Sequence, residues 1–256
     1  MYIDTHSHLT CLDCLNEVEE TIVKCQKNDV NKILVICCSK EDLENAYIYQ
    51  NKYPKMLDIA FGYHPEVIGE NSKYDLAYLE EQLIANKLVA IGEIGLDFYY
   101  DQDHKLEQEQ LFKDQIALAK KYNLPVLVHT RDASEMTYQI LKEENLPRKG
   151  ILHCYSGSVE MMERYLKIGY YISLAGVVTF KNAKVAKEVA KQIPIDRLFY
   201  ETDSPYLTPE PFRGKKNDSS KVIYTANYIS DLRNISVEEL NSSVQNNYER
   251  LFNEKI

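Results

Sequence analysis

The chain has 256 residues, 45% of them apolar, and a net charge of −9. A chain of this length can bury a large core and matches the usual size of one eight-stranded βα barrel, while its acidity excludes a global basic field that would draw in nucleic acid or an anionic membrane. Any anionic substrate must therefore be gripped locally, by metal or by a few basic side chains.

The first segment, Tyr2-Ile3-Asp4-Thr5-His6-Ser7-His8, reads as a short strand. Side chains alternate along a strand, so Ile3 and Thr5 share one face and Asp4, His6 and His8 the other. Two imidazoles at i and i+2 converging at a strand end are half of a metal site; the bland alternative is a pair of surface histidines. Helical spacing follows over 15–27, then a nearly continuous apolar strand over 32–38. Strands buried on both faces look like this, which points to a parallel sheet covered by helices. A helix over 41–52, with Ser39 as its N-cap, leads to a strand over 57–62 that ends in Tyr63-His64-Pro65. A helix over 75–86 precedes a strand over 88–97 that carries Glu93 inside an apolar run. The alternation continues with helices over 105–122, 134–144, 158–167 and 183–192 and strands over 125–131, 150–155, 170–174 and 197–203. The prolines and glycine of 209–217 mark a loop, and 219–232 and 237–252 read as two further helices on the barrel.

About eight strands alternating with helices in this way predict a closed (β/α)8 barrel of one domain spanning 1–256. An open doubly wound sheet is the alternative, but the Gly-rich dinucleotide loop expected at its switch point is missing. The six cysteines are expected as free thiols in a reducing compartment. Cys11-x-x-Cys14 has no second pair to complete a zinc ribbon, and Cys37 and Cys38 read as small hydrophobes within a strand. The N-terminus lacks the basic-then-apolar order of a signal peptide, and no apolar run reaches the ~18 residues of a membrane span. A soluble, cytoplasmic protein is expected.

Metal-type residues fall at the C-terminal ends of these strands: His6 and His8 on the first, Glu93 on the fourth, His129 on the fifth, His153 on the sixth and Asp203 on the eighth. In a barrel those ends meet at the face that carries catalytic groups. An unpartnered polar group buried there costs about 2–7 kcal/mol, and a shared cation would satisfy the whole set. The set suggests two divalent ions, with Glu93 as the bridge, His6, His8 and Asp203 on one ion and His129 and His153 on the other. Imidazole and carboxylate without thiolate suit zinc, manganese or cobalt, while magnesium prefers more oxygen.

The motifs Asp4-Thr5-His6-Ser7-His8, Gly62-Tyr63-His64-Pro65, Gly92-Glu93-Ile94-Gly95-Leu96-Asp97, Val128-His129-Thr130-Arg131, His153-Cys154-Tyr155-Ser156-Gly157 and Glu201-Thr202-Asp203-Ser204-Pro205-Tyr206 resemble the signatures of the TatD-type metal-dependent deoxyribonucleases, within the amidohydrolase-like metallohydrolases. The resemblance extends through Arg213-Gly214-Lys215-Lys216-Asn217 to Asn247-Tyr248-Glu249-Arg250-Leu251-Phe252 and so covers nearly the whole chain. It implies the same barrel, a divalent-metal site at His6, His8, Glu93, His129, His153 and Asp203, and a metal-dependent nuclease, with magnesium among its candidate metals and, as in several members, 3′-to-5′ action on DNA. The sequence departs at Asp218-Ser219-Ser220-Lys221, where the family often has Glu-Pro, and at Tyr155, where Phe is frequent.

The mechanism expected is attack by metal-acidified water, with Asp203 accepting its proton, Glu93 as the other catalytic carboxylate, and His64, Arg131, Arg213 and Lys215 gripping phosphate. DNA with single-stranded or frayed ends is the expected partner, because a strand end needs few phosphate contacts. Tyr63, Tyr99, Tyr100, Tyr155 and Tyr206 could stack on bases, although such residues more often serve packing. Two competing functions are hydrolysis of a small phosphoester, ester or amide by the same metal pair, and a catalytically silent binding scaffold. The basic stretch Arg213 to Lys216 favours phosphate, and the intact ligand set argues against silence.

Overall fold

A computed structural model describes residues 1–69, 74–85 and 87–253. Its eight strands form one parallel sheet in sequence order: β1 (Tyr2–Ser7), β2 (Val30–Cys37), β3 (Leu57–Phe61), β4 (Ala90–Asp97), β5 (Val126–Arg131), β6 (Gly150–Leu152), β7 (Tyr171–Leu174) and β8 (Leu198–Tyr200). The sheet closes between its ends. Ser7 and Ser204 form a parallel bridge, Asp203 N donates to His6 O at 3.0 Å, and His8 N donates to Ser204 O at 2.8 Å. The expected (β/α)8 barrel is therefore what the chain forms, and the open-sheet alternative falls.

The helices between strands are α1 (Val18–Lys27), α2 (Lys40–Lys52), α3 (Leu76–Ile84), α4 (Lys105–Tyr122), α5 (Ser134–Glu144), α6 (Val159–Lys167) and α7 (Lys184–Gln192), and α8 (Val222–Arg233) and α9 (Val237–Tyr248) follow β8. Side-chain caps start several of them: Ser39, Asp75, Ser158 and Ser236 each accept from a backbone amide three residues on. The third expected helix stops at Ile84, and its expected last residue, Asn86, lies outside the described residues. The last expected helix is α9 plus a wider turn over Glu249–Asn253. Among the described residues no helix is long and apolar enough to cross a membrane.

α9 is tied to several strands. Tyr200 Oη donates to Asn241 Oδ1 at 2.6 Å, Asn247 Nδ2 donates to the carbonyls of Ile195 and Leu198, and Tyr248 Oη donates to Asp58 Oδ2 at 2.7 Å. Asp58 lies near the start of β3, so these contacts gather at the N-terminal end of the barrel. The opposite end remains for the polar cluster.

Candidate metal centre

The strand ends supply the cluster. β4 is buried along its whole length, and it carries Glu93 and Asp97 on the same side, four residues apart. β5 runs beside it, with Gly95 opposite His129. That register needs glycine: Gly95 has φ +147°, and an added Cβ would stand 2.0 Å from His129 O. At the other seam, buried Asp4 accepts from Thr202 N at 2.9 Å and Thr202 Oγ1 at 2.6 Å, which fixes β1 to the segment leading to Asp203. Asp203 itself has φ +54°, a conformation a non-glycine residue adopts at a cost of about 1–3 kcal/mol. Its backbone bonds to His6 and Tyr206 hold it there.

Two buried glutamines of α4, seven residues apart on one helix face, brace the site from behind. Gln115 accepts from Tyr63 N and donates to Tyr63 O; Gln108 accepts from Asp97 N and donates to Asp97 O.

Five of the six histidines converge on Glu93, and its two oxygens divide them. Oε2 stands 3.3 Å from His6 Nε2 and 3.6 Å from His8 Nε2. Oε1 stands 2.6 Å from His153 Nε2, 2.8 Å from His129 Nδ1 and 3.5 Å from His64 Nε2. Asp203 Oδ1 lies 3.7 Å from both His6 Nε2 and His8 Nε2. The six residues read as ligands are thus brought together, and the carboxylate read as the bridge sits between the two groups.

His64 belongs to this cluster as well. Its Nδ1 accepts from Glu66 N, so the proton resides on Nε2, which points at Glu93 as a donor. Arg131 lies at the end of β5, its guanidinium 3.9 Å and 4.7 Å from the Tyr99 and Tyr100 ring centres. Arg213 and Lys215 lie on the exposed loop after β8, with Arg213 4.2 Å over Phe180. Among the described residues none of these three cations has an ion-pair partner, so their charges are available to an anion. Of the tyrosines, Tyr63 and Tyr155 are buried and bonded to backbone carbonyls, whereas Tyr99, Tyr100 and Tyr206 are exposed.

Two carboxylates escaped the sequence reading. Asp97 Oδ2 is 2.9 Å from His129 Nε2 and so leaves Nδ1 as the basic nitrogen facing Glu93. Glu201, fully buried, accepts from Cys154 N and lies 3.4 Å from His153 Nδ1. Each can orient and polarise an imidazole whose other nitrogen faces the centre. The available signal was period two: Asp97 is four residues from Glu93, and Glu201 is two from Asp203.

The electrostatics follow from burial and crowding. Burial pulls the His6 imidazole down, and burial with the neighbouring His6 brings His8 to about 3. Burial also opposes a charged His153, but the Glu93 carboxylate overrides it and raises that imidazole well above its ordinary range. Glu93 in turn is held well below the usual carboxylate range, burial notwithstanding, by His153 and His64. Burial, reinforced by Glu93 and Glu201, pushes Asp203 up to about 8.

The donor set fits divalent cations. Both nitrogens of buried His6, and Oε2 of buried Glu201, have no hydrogen-bond partner. Three ligand-type groups lie within 4.8 Å of one another in His6–His8–Asp203 and in His6–Glu93–His153. A native interior rarely leaves such atoms unsatisfied, and a cation bound by His6 Nε2 beside Glu93 and Asp203 accounts for that one.

Comparison with known proteins agrees with this chemistry. The profile of the family described as TatD related DNase matches residues 3–253. The chain belongs to that family. It is similar to the metal-dependent hydrolase YabD of Bacillus subtilis, 42% identical over 98% of this chain and 99% of the relative. It is similar also to the metal-dependent hydrolase YcfH of Escherichia coli, 36% identical over 98% and 95%. Among solved structures, YJJV, a TatD homologue from Escherichia coli, superposes with a TM-score of 0.91 at 31% identity, covering 99% of this chain and 98% of that one. The chain is therefore a TatD-family metal-dependent hydrolase on a (β/α)8 barrel.

Proposed function

We propose that the protein hydrolyses phosphodiester bonds of DNA, working inward from a single-stranded or frayed 3′ end, with two divalent ions held by His6, His8, Glu93, His129, His153 and Asp203. The observation that carries the two-ion reading is the division of Glu93, one oxygen toward His6 and His8 and the other toward His129 and His153. Such ions, when bound, acidify water and neutralise charge developing on the phosphorus oxygens. Asp203, 3.7 Å from His6 and His8 at the edge of the centre, accepts the proton of the attacking water. His64 donates from Nε2 to a phosphate oxygen, Arg131 clamps the phosphate from β5, and Arg213 and Lys215 hold the next phosphates along the strand. Exposed Tyr99, Tyr100 and Tyr206 offer faces to unpaired bases. The acidity of the rest of the chain fits a strand-end enzyme, which needs few such contacts.

The test is digestion of end-labelled single-stranded DNA by chelator-stripped protein after return of Mg2+, Mn2+ or Zn2+. A one-nucleotide ladder from the 3′ end, lost in Glu93→Ala and Asp203→Asn, is expected. Undiminished activity in either variant refutes the assignment of those residues. A second reading, a small phosphoester, ester or amide as substrate, has one observation in its favour. A cavity of about 260 Å³ beside the His153 loop, lined by Tyr155, Ser156, Leu174, Val178, Asn182 and Lys184, has room for a small organic group. Turnover of aryl phosphate or ester with DNA left intact would select it.

A further inference from the structure

Cys37 and Cys38 look alike in the sequence, and the fold separates them. Cys37 ends β2 and is fully buried in the apolar core. Cys38, one residue on and therefore turned the other way, is partly exposed at the mouth of the barrel. Its backbone is fixed there by the start of α2. Ser39 caps the helix by accepting from Asp42 N at 3.1 Å, and the Asp42 carboxylate accepts from Cys38 N at 3.4 Å. This places the Cys38 sulfur with a nitrogen of His8 and an oxygen of Glu93, all within 4.8 Å of one another. Ligand pairs on one tetrahedral zinc stand about 3.5 Å apart, so closing this triad on a single ion takes movements of about 1 Å.

We propose that Cys38 is a metal ligand, its sulfur joining His8 and Glu93 on one ion of the centre, and that it biases the centre toward thiophilic cations. The inference rests on the metal-centre reading above and adds a donor to it. On binding, the Cys38 thiol gives up its proton to solvent and presents the thiolate lone pair. Thiolate is a soft donor that favours zinc or cobalt and contributes little for magnesium. The proposal departs from the thiolate-free centre and the hydrophobic Cys38 that the sequence leads one to expect.

The test uses the full-length protein loaded with Co2+. Wild type should show a near-ultraviolet thiolate-to-cobalt charge-transfer band. The band should vanish in Cys38→Ser and persist in Cys154→Ser and in the Cys11→Ser/Cys14→Ser double variant. Zn2+ affinity of Cys38→Ser, measured against a chromogenic chelator, should fall about 10-fold or more, the least expected even for loss of a partner outside the ligand shell. Co2+ bound without the band, or a band and a Zn2+ affinity that survive Cys38→Ser, overturns the proposal and leaves the metal centre standing. A wild type that binds no Co2+ overturns both. The wild-type spectrum together with the control variants decides the matter even if Cys38→Ser fails to fold.

Discussion

Glu201→Gln tests the logic of the centre without touching a residue read as a ligand. The glutamine keeps the size of the side chain and still accepts from Cys154 N, so the loop after β6 has its anchor. What disappears is a negative charge 3.4 Å from His153 Nδ1. Between unit charges at that distance, in a medium of effective dielectric about 20, the attraction is about 5 kcal/mol, an upper bound because both groups are costly to bury. The part that reaches the metal is smaller. A carboxylate behind a ligating histidine typically contributes 10- to 100-fold in affinity, about 1.4–2.8 kcal/mol. Zn2+ titration against a chelating dye should therefore show Glu201→Gln weaker by a factor in that range, with an unchanged far-ultraviolet circular dichroism spectrum. Affinity within about 2-fold of wild type would refute the claim that Glu201 acts through His153.

Other expectations follow from the same geometry. Asp203 at about 8 and the raised His153 both hold protons at neutral pH that a cation must displace, so metal affinity should climb from pH 6 to 8, by up to about 100-fold per unit if both protons leave. For the chelator-stripped protein the sign is opposite. A carboxyl raised from 3.8 to about 8 favours the folded state while protonated, as does a raised histidine, so the melting temperature should fall over the same interval. Arg213→Ala with Lys215→Ala should lower the slope of log affinity against log salt for single-stranded oligonucleotide by about 1–2 while leaving metal content unchanged. Gly95→Ala, which drives a Cβ to 2.0 Å from His129 O, should cost about 3 kcal/mol or more in urea denaturation.

The alternation of apolar strands and amphipathic helices was legible because each element obeys one period, and α4 and α5 begin and end where the pattern says they should. The ends of β6 and β8 were not. Strands were expected to run to Tyr155 and Asp203, but they stop at Leu152 and Tyr200. Beyond those points single backbone bonds to the neighbouring strands continue, but the regular strand conformation is lost, with Cys154 at φ +43° and Asp203 at φ +54°, where His153 and Asp203 enter the centre. Ligand-type residues could be read singly, since a histidine or carboxylate inside an apolar run is conspicuous. Their supporters could not. Asp97 and Glu201 matter because of which imidazole they stand behind, and Gln108 and Gln115 because their helix happens to lie behind two loops. Those are facts of tertiary contact: period-two spacing marks Asp97 and Glu201 as candidates but does not say which imidazole each one faces.

The charge balance of the centre explains why it is built from so many imidazoles. Glu93, Glu201, Asp97 and Asp203 crowd one end of a barrel in an already acidic chain. With the protein's own groups alone, the compensating positive charge is protons: on His153 and His129, both raised by neighbouring carboxylates against the pull of burial, and on Asp203 itself. His6 stacks face to face on His153 at 3.9 Å, and with burial and that neighbouring cation lowering it, it stays neutral. Every proton held here sits on a group whose lone pair faces Glu93 or its neighbours, so a divalent ion entering the cluster meets donors that need only exchange one cation for another. An apolar lining would offer no such exchange, and a purely carboxylate lining would repel itself apart before the ion arrived.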